Sequence, residues 1–153
     1  MEPGPDNLYF AEHAGLLLDS YRKLTGRQLV PDGTAAQRAK ALYEAGFVVV
    51  SHDTAADPVF NYANLAAQRL FEMDWDSFVA LPSRLSAGPA ERDERQRLLE
   101  AVMRNGYIDD YCGIRITRSG RRFRVEAATV WNLTDAHGKP AGQAAAFSVW
   151  RFV

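Results

Sequence analysis

Apolar residues first recur at steps of three and four. Phe10, Ala14, Leu17, Tyr21 and Leu24 form one helical stripe. Asp6 or Asn7 can cap that helix and Gly26 can end it. A loop with Pro31 and Gly33 follows, and Thr34-Ala-Ala-Gln37 has the form of a capping box, which predicts a second helix over 34–45. The pattern then changes. Phe47-Val-Val-Val50 is a continuous, β-branched run and predicts a strand; Ser51–Asp57 reads as a loop and Val59–Tyr62 as a short strand. Ala63, Ala66, Ala67, Leu70 and Phe71 return to one helical face. Asp74 can cap a short helix carrying Trp75, Phe78 and Val79, which Leu81-Pro82 breaks. Ala87-Gly88-Pro89 marks the start of a helix that runs to about Arg104. Its expected buried stripe is Leu98, Leu99, Val102 and Met103, with Glu91–Arg95 and Asp93–Arg97 paired on the wet side.

From Tyr107 the period is two. Ile108, Cys112, Ile114 and Ile116 are expected on one face of a strand, and Ser119-Gly120 reads as a two-residue hairpin turn. Arg121–Leu133 returns, and Gln143–Phe152 closes the meander with Ala144, Ala146, Ser148 and Trp150 on one face. Two strands, several helices and three long strands imply an α+β fold. Its antiparallel sheet must bury an apolar layer under helices packed on one face, with the N-terminal helices in addition. A half-open layer of that kind is a common place for a ligand cavity.

Composition narrows the picture. A chain of 153 residues with 47% hydrophobic content makes one domain with a real core. Eighteen basic residues against 19 acidic ones give no push toward nucleic acid or an anionic membrane surface. No apolar run approaches the roughly 20 residues of a membrane span. The first ten residues lack a basic and an apolar region, so no secretory leader is expected. Cys112 is the only cysteine, which fits a reducing, cytoplasmic setting.

Three segments carry a resemblance: FVVVSHDTAADPVFNYANLAAQRLFEMDWDSFVALPSRLSA, GYIDDYCGIRITRSGRRFRVEAATVWNL and GQAAAFSVW. Together they resemble the MEKHLA domain, a PAS-related family, from about His13 to Trp150. The resemblance implies a PAS-like fold with a sensory, regulatory or dimerisation role. It divides the chain into an N-terminal helix and loop over 1–33 and a PAS-like domain over 34–153, within one structural unit. It brings no catalytic residues with it.

Candidate chemistry is sparse. Flavin photosensors of the PAS class place a reactive cysteine in a polar helical motif, whereas Cys112 falls on a strand and reads as a small buried hydrophobe. His13, His52 and His137 are dispersed, on a helix, in a loop and in a turn, so neither haem nor another metal is expected. Ser51-His52-Asp53 has the residue types of a triad, but consecutive side chains diverge. Asp109 and Asp110 face opposite sides of a strand. Arg115, Arg118, Arg121, Arg122 and Arg124 bracket the hairpin and read as a solvated tip rather than a nucleic-acid contact. The expectation is a non-enzymatic module without cofactor. Its partners would be a small-molecule ligand and a second copy or another protein.

The ligand is expected against Phe71, Trp75, Phe78, Ile114 and Trp131, with polar contacts from Asn61, Asn64, Arg84, Asn132 and Ser148. Asn61 and Asn64 can equally cap or hold a turn, and Arg84 can equally pair with a surface carboxylate. The alternative is a ligand-free homodimerisation module that buries the stripe Phe10, Leu17, Tyr21 and Leu24 against a second copy.

Overall fold

The computed structural model describes residues 1–87 and 92–153, the side chains of 92, 94 and 95 excepted. The expected helix start at Gly88-Pro89 and the Glu91–Arg95 pair lie outside the described residues. The elements are α1 (Ala11–Thr25), α2 (Ala35–Tyr43), β1 (Val48–His52), β2 (Phe60–Ala63), α3 (Leu65–Phe71), α4 (Trp75–Phe78), α5 (Arg92–Asn105), β3 (Tyr107–Ile116), β4 (Arg122–Thr134), β5 (Pro140–Phe147) and β6 (Val149–Phe152). The sheet runs β2-β1-β5-β4-β3, antiparallel throughout, with β6 continuing along β4.

Local chemistry sets most element ends as the sequence predicts. Thr34 and Gln37 close the capping box of α2, Asp74 caps α4 through the Ser77 amide, and Gly26 ends α1 at φ +74°. The start of α1 differs. Leu8, Tyr9 and Phe10 form a left-handed turn (φ +53°, +55°, +55°), so the helix begins at Ala11 rather than after Asn7. Such a turn costs about 1–2 kcal/mol per residue. Edge-on packing of Phe10 on Trp75, at 5.3 Å, and tilted packing of Tyr9 on Tyr43 offset it.

Both faces of the sheet are covered. On the outer face, α1 and α2 pack Leu17, Tyr21 and Leu42 against Val49, Trp131, Leu133 and Ala144. Trp131 is fully buried there and donates its Nε1–H to the Leu17 carbonyl at 3.2 Å. On the inner face, α3 and α4 bring Leu70, Phe71 and Phe78 onto Val50, Phe60, Phe123, Val125 and Phe147. The helical stripe of α1 therefore meets the chain's own sheet.

The inner face depends on a paired break. Ala127, at φ +52°, stands opposite Ser148, and Glu126↔Val149 and Thr129↔Ala146 keep one register on either side. Each strand turns its faces over at that point. The last strand is thus two segments, and Trp150 does not share the face of Ala144 and Ala146; it packs on Phe147 at 5.8 Å. Irregular pairing does the same to β3. Ile108 stands opposite Val130, while Ile114 stands opposite Arg124 on the outer side, so the expected single face of Ile108, Cys112, Ile114 and Ile116 is split. Cys112 is exposed, not buried. The β3–β4 hairpin is closed by Thr117 and Arg121 around three residues, with Gly120 at φ +92°.

Candidate functional site

Between the inner face and α5 lies a cavity of about 70 Å³. It exists because Ala128 and Ala145 occupy central inner-face positions whose neighbours are Phe60, Phe71, Val125 and Phe147. Leu98 and Leu99 of α5 close it. Its walls are mostly apolar, with six polar residues in the lining: Ser51, His52, Ser86, Tyr111, Arg115 and Gln143. His52 belongs to β1 rather than to a loop, is buried, and has Nδ1 2.9 Å from the Asp53 carbonyl oxygen. Arg115 is half-buried, donates to the Ile114 carbonyl at 2.8 Å and lies 5.3 Å from the Tyr111 ring centre.

Gln143 is 5% exposed. Its Nε2 donates to the Leu99 carbonyl at 3.1 Å and to Asn132 Oδ1 at 3.0 Å. Asn132 Nδ2 in turn donates to the Val102 and Met103 carbonyls of α5 at 2.9 and 3.3 Å. These two amides tie α5 to the centre of the sheet. Gln143 Oε1 is buried and has no partner among the described residues.

A second polar cluster lies on the outer face. His13 Nε2 is 3.0 Å from Ser51 Oγ, and Ser51 Oγ donates to Asn61 Oδ1 at 2.6 Å. The single hydroxyl proton goes to Asn61, so His13 is the donor toward Ser51 and not its base. Ser51 is 1% exposed, which also bars a substrate. Burial holds His13 below its usual pKa. Tyr62 and Tyr43 pack edge-on with Trp75 beside it. Burial pushes Tyr62 up; burial also brings Tyr43 to about 12, with the Gln68 hydrogen bond pulling down against it and the Glu2 hydrogen bond and charge adding to it. This cluster is neutral packing between α1, α2 and β2.

Of the ten residues expected to bind a ligand, Phe71 lines the cavity and Asn132 reaches it through Gln143. Phe78 packs behind Phe60 and Phe71, edge-on at 4.9 and 5.4 Å. The others lie elsewhere. Trp75 and Trp131 are on the outer face, and Ile114 is on the outer side of β3. Ser148 is exposed at the strand break, and Asn61 holds Ser51. Arg84 pairs with Asp57 at 3.1 Å on the surface. Asn64, fully buried, accepts from the Val49 and Ala67 amides and donates to the Leu42 and Phe47 carbonyls. In α5, Val102 is buried but Met103 is 73% exposed, contrary to the expected stripe. The reading of the sequence missed Gln143, whose signal was a lone amide amid the alanines of a strand buried on both faces.

The model of the MEKHLA domain matches residues 11–152. Among curated proteins none matches the chain. A PAS domain of a protein from Colwellia psychrerythraea has a TM-score of 0.63 at 16% identity, covering 76% of this chain and 94% of that one. The light-state dimer of the fungal blue-light photoreceptor Vivid scores 0.60 at 14% identity, covering 88% and 90%. An RNA-binding light-oxygen-voltage receptor scores 0.64 at 16% identity, covering 77% of this chain but 36% of its own. At these identities the likeness is one of fold.

Proposed function

This chain belongs to the MEKHLA domain family, and on that premise we propose that it is a PAS-like sensory module without catalytic activity. A small molecule binds in the cavity between the sheet and α5, and its presence is passed on through contacts with a second copy or another protein. The observation that carries this reading is the cavity itself, about 70 Å³ of mostly apolar-walled space beneath α5, with a buried acceptor on a residue of its lining. The route outward is short. Leu98 and Leu99 touch the cavity, and Gln143 and Asn132 join α5 to β5 and β4. A ligand that fits one placement of α5 better than another shifts their populations by that difference in affinity.

Two of the similar structures are light-oxygen-voltage proteins, and one of these is described with a flavin analogue. The residues here do not fit a flavin. The cavity is far smaller than a three-ring system, and Cys112 is exposed on β3 rather than beside the cavity. The ligand-free dimerisation reading loses the surface first assigned to it, because Leu17 and Tyr21 are spent on the chain's own sheet.

Native mass spectrometry of the full chain tests the proposal, with Ala128→Leu as the cavity-filled control. A non-covalent adduct released on unfolding and absent from the variant is expected. An unoccupied chain whose thermal midpoint is unmoved by a library of small neutral molecules would refute it.

A further inference from the structure

A glutamine amide can usually be turned end for end, since its oxygen and nitrogen are alike in shape. Gln143 cannot. Asn132 commits Nδ2 to the Val102 and Met103 carbonyls, so it presents only Oδ1 toward Gln143. The Leu99 carbonyl is likewise an acceptor only. Both neighbours require N–H groups, and turning the Gln143 amide would set oxygen against two oxygens. Oε1 is therefore the end left over, on a side chain 5% exposed, at the cavity wall, with no partner among the described residues. Leaving such a buried acceptor unmet is costly.

On the reading of the cavity as a ligand site, we propose that its ligand is a small uncharged molecule bearing an N–H or O–H group, which donates to Gln143 Oε1. Size follows from the volume. A dry cavity of about 150 Å³ takes benzene, and one of about 70 Å³ limits the ligand to a single small ring or a short branched chain. Charge follows from the lining. No carboxylate lines the cavity among the described residues to receive a cation, and the unpartnered Oε1 of Gln143, an acceptor only, opposes an anion. The Arg115 guanidinium at the rim is already engaged with the Ile114 carbonyl and the Tyr111 ring. The remaining walls, Phe60, Phe71, Val125 and Phe147, reward apolar surface.

Pyrrole and furan separate the donor from everything else, because they are rings of nearly equal shape and only pyrrole carries an N–H. The full chain, labelled with nitrogen-15, is titrated with each at millimolar concentration and followed by amide chemical shifts. Pyrrole is expected to bind about three- to tenfold tighter than furan, the scale of one net hydrogen bond, and to shift the amides of β5 and the Gln143 side chain. Gln143→Met, once shown to be folded, is expected to bind the two rings equally. Equal binding to the unaltered chain overturns the donor assignment while leaving the cavity a ligand site, with Oε1 met by water. No shift with either ring overturns both the assignment and the reading it rests on.

Discussion

Asn64→Ala tests whether the Asn-Tyr-Ala-Asn junction is structural. The side chain is fully buried and makes four hydrogen bonds to backbone groups of three segments. Two are accepted, from the Val49 and Ala67 amides, both at 3.1 Å. Two are donated, to the Leu42 and Phe47 carbonyls at 3.1 and 2.8 Å. One of the four is the N-cap of α3, alone worth about 1 kcal/mol. Each buried group left unmet costs about 1–3 kcal/mol, and the lower bound for four is about 4 kcal/mol. That is a large part of the 5–15 kcal/mol by which domains are stable, and at this length corresponds to a midpoint lower by about 8–16 °C. Urea unfolding of both proteins measures it. Asn64→Asp is the sharper variant, since it keeps both acceptor contacts but sets a buried carboxylate against two carbonyl oxygens. It should be as damaged as Asn64→Ala at neutral pH and recover partly in acid, when the protonated carboxyl regains one donor. A loss under about 1 kcal/mol in Asn64→Ala would refute the reasoning. It would also return Asn64 to the set of residues free to hold a ligand.

Three further predictions follow from particular contacts. His13 is held below 6.5 by burial, so the unfolded chain takes its proton first; stability is full above about pH 6.5 and declines as pH falls toward the lowered folded value. Unfolding curves against pH should show this slope in the unaltered chain and lose its His13 share in His13→Gln; equal slopes would count against it. Gly142 sits at φ +130°, where an added Cβ would collide with the His52 carbonyl oxygen, so Gly142→Ala should lose at least about 3 kcal/mol and part β5 from β1. A near-neutral result by thermal unfolding would show that this contact is looser. Cys112 is exposed and should react with a thiol reagent without prior unfolding; protection until denaturation would contradict its position on the outer side of β3.

Legibility tracked the range of the interaction involved. Thr34 with Gln37, Asp74 with Ser77, and Gly26 are decided within four residues of chain, and each stands where the pattern put it. The start of α1 failed because Phe10 and Tyr9 are held in a left-handed turn by Trp75 and Tyr43, far away in sequence. Strand faces failed at Ala127 opposite Ser148, and again between Ile108 and Gly113, because alternation assumes an unbroken pleat. Those breaks moved Ile114 away from the expected pocket.

The sequence alone determined the order and kind of most elements, the caps of α2 and α4, the balanced charge and the family. These rest on local backbone preference, on hydrophobic period, or on the identity of long segments. Only the tertiary structure decided which face each strand residue occupies, that α1 covers the chain's own sheet, and where the cavity lies. It also decided that Gln143, unremarkable as one amide in Gly-Gln-Ala-Ala-Ala, carries the unmet acceptor. The reason is physical. A hydrogen-bonding vacancy is a property of every group around an atom, and here those groups come from α5, β4 and β5 at once.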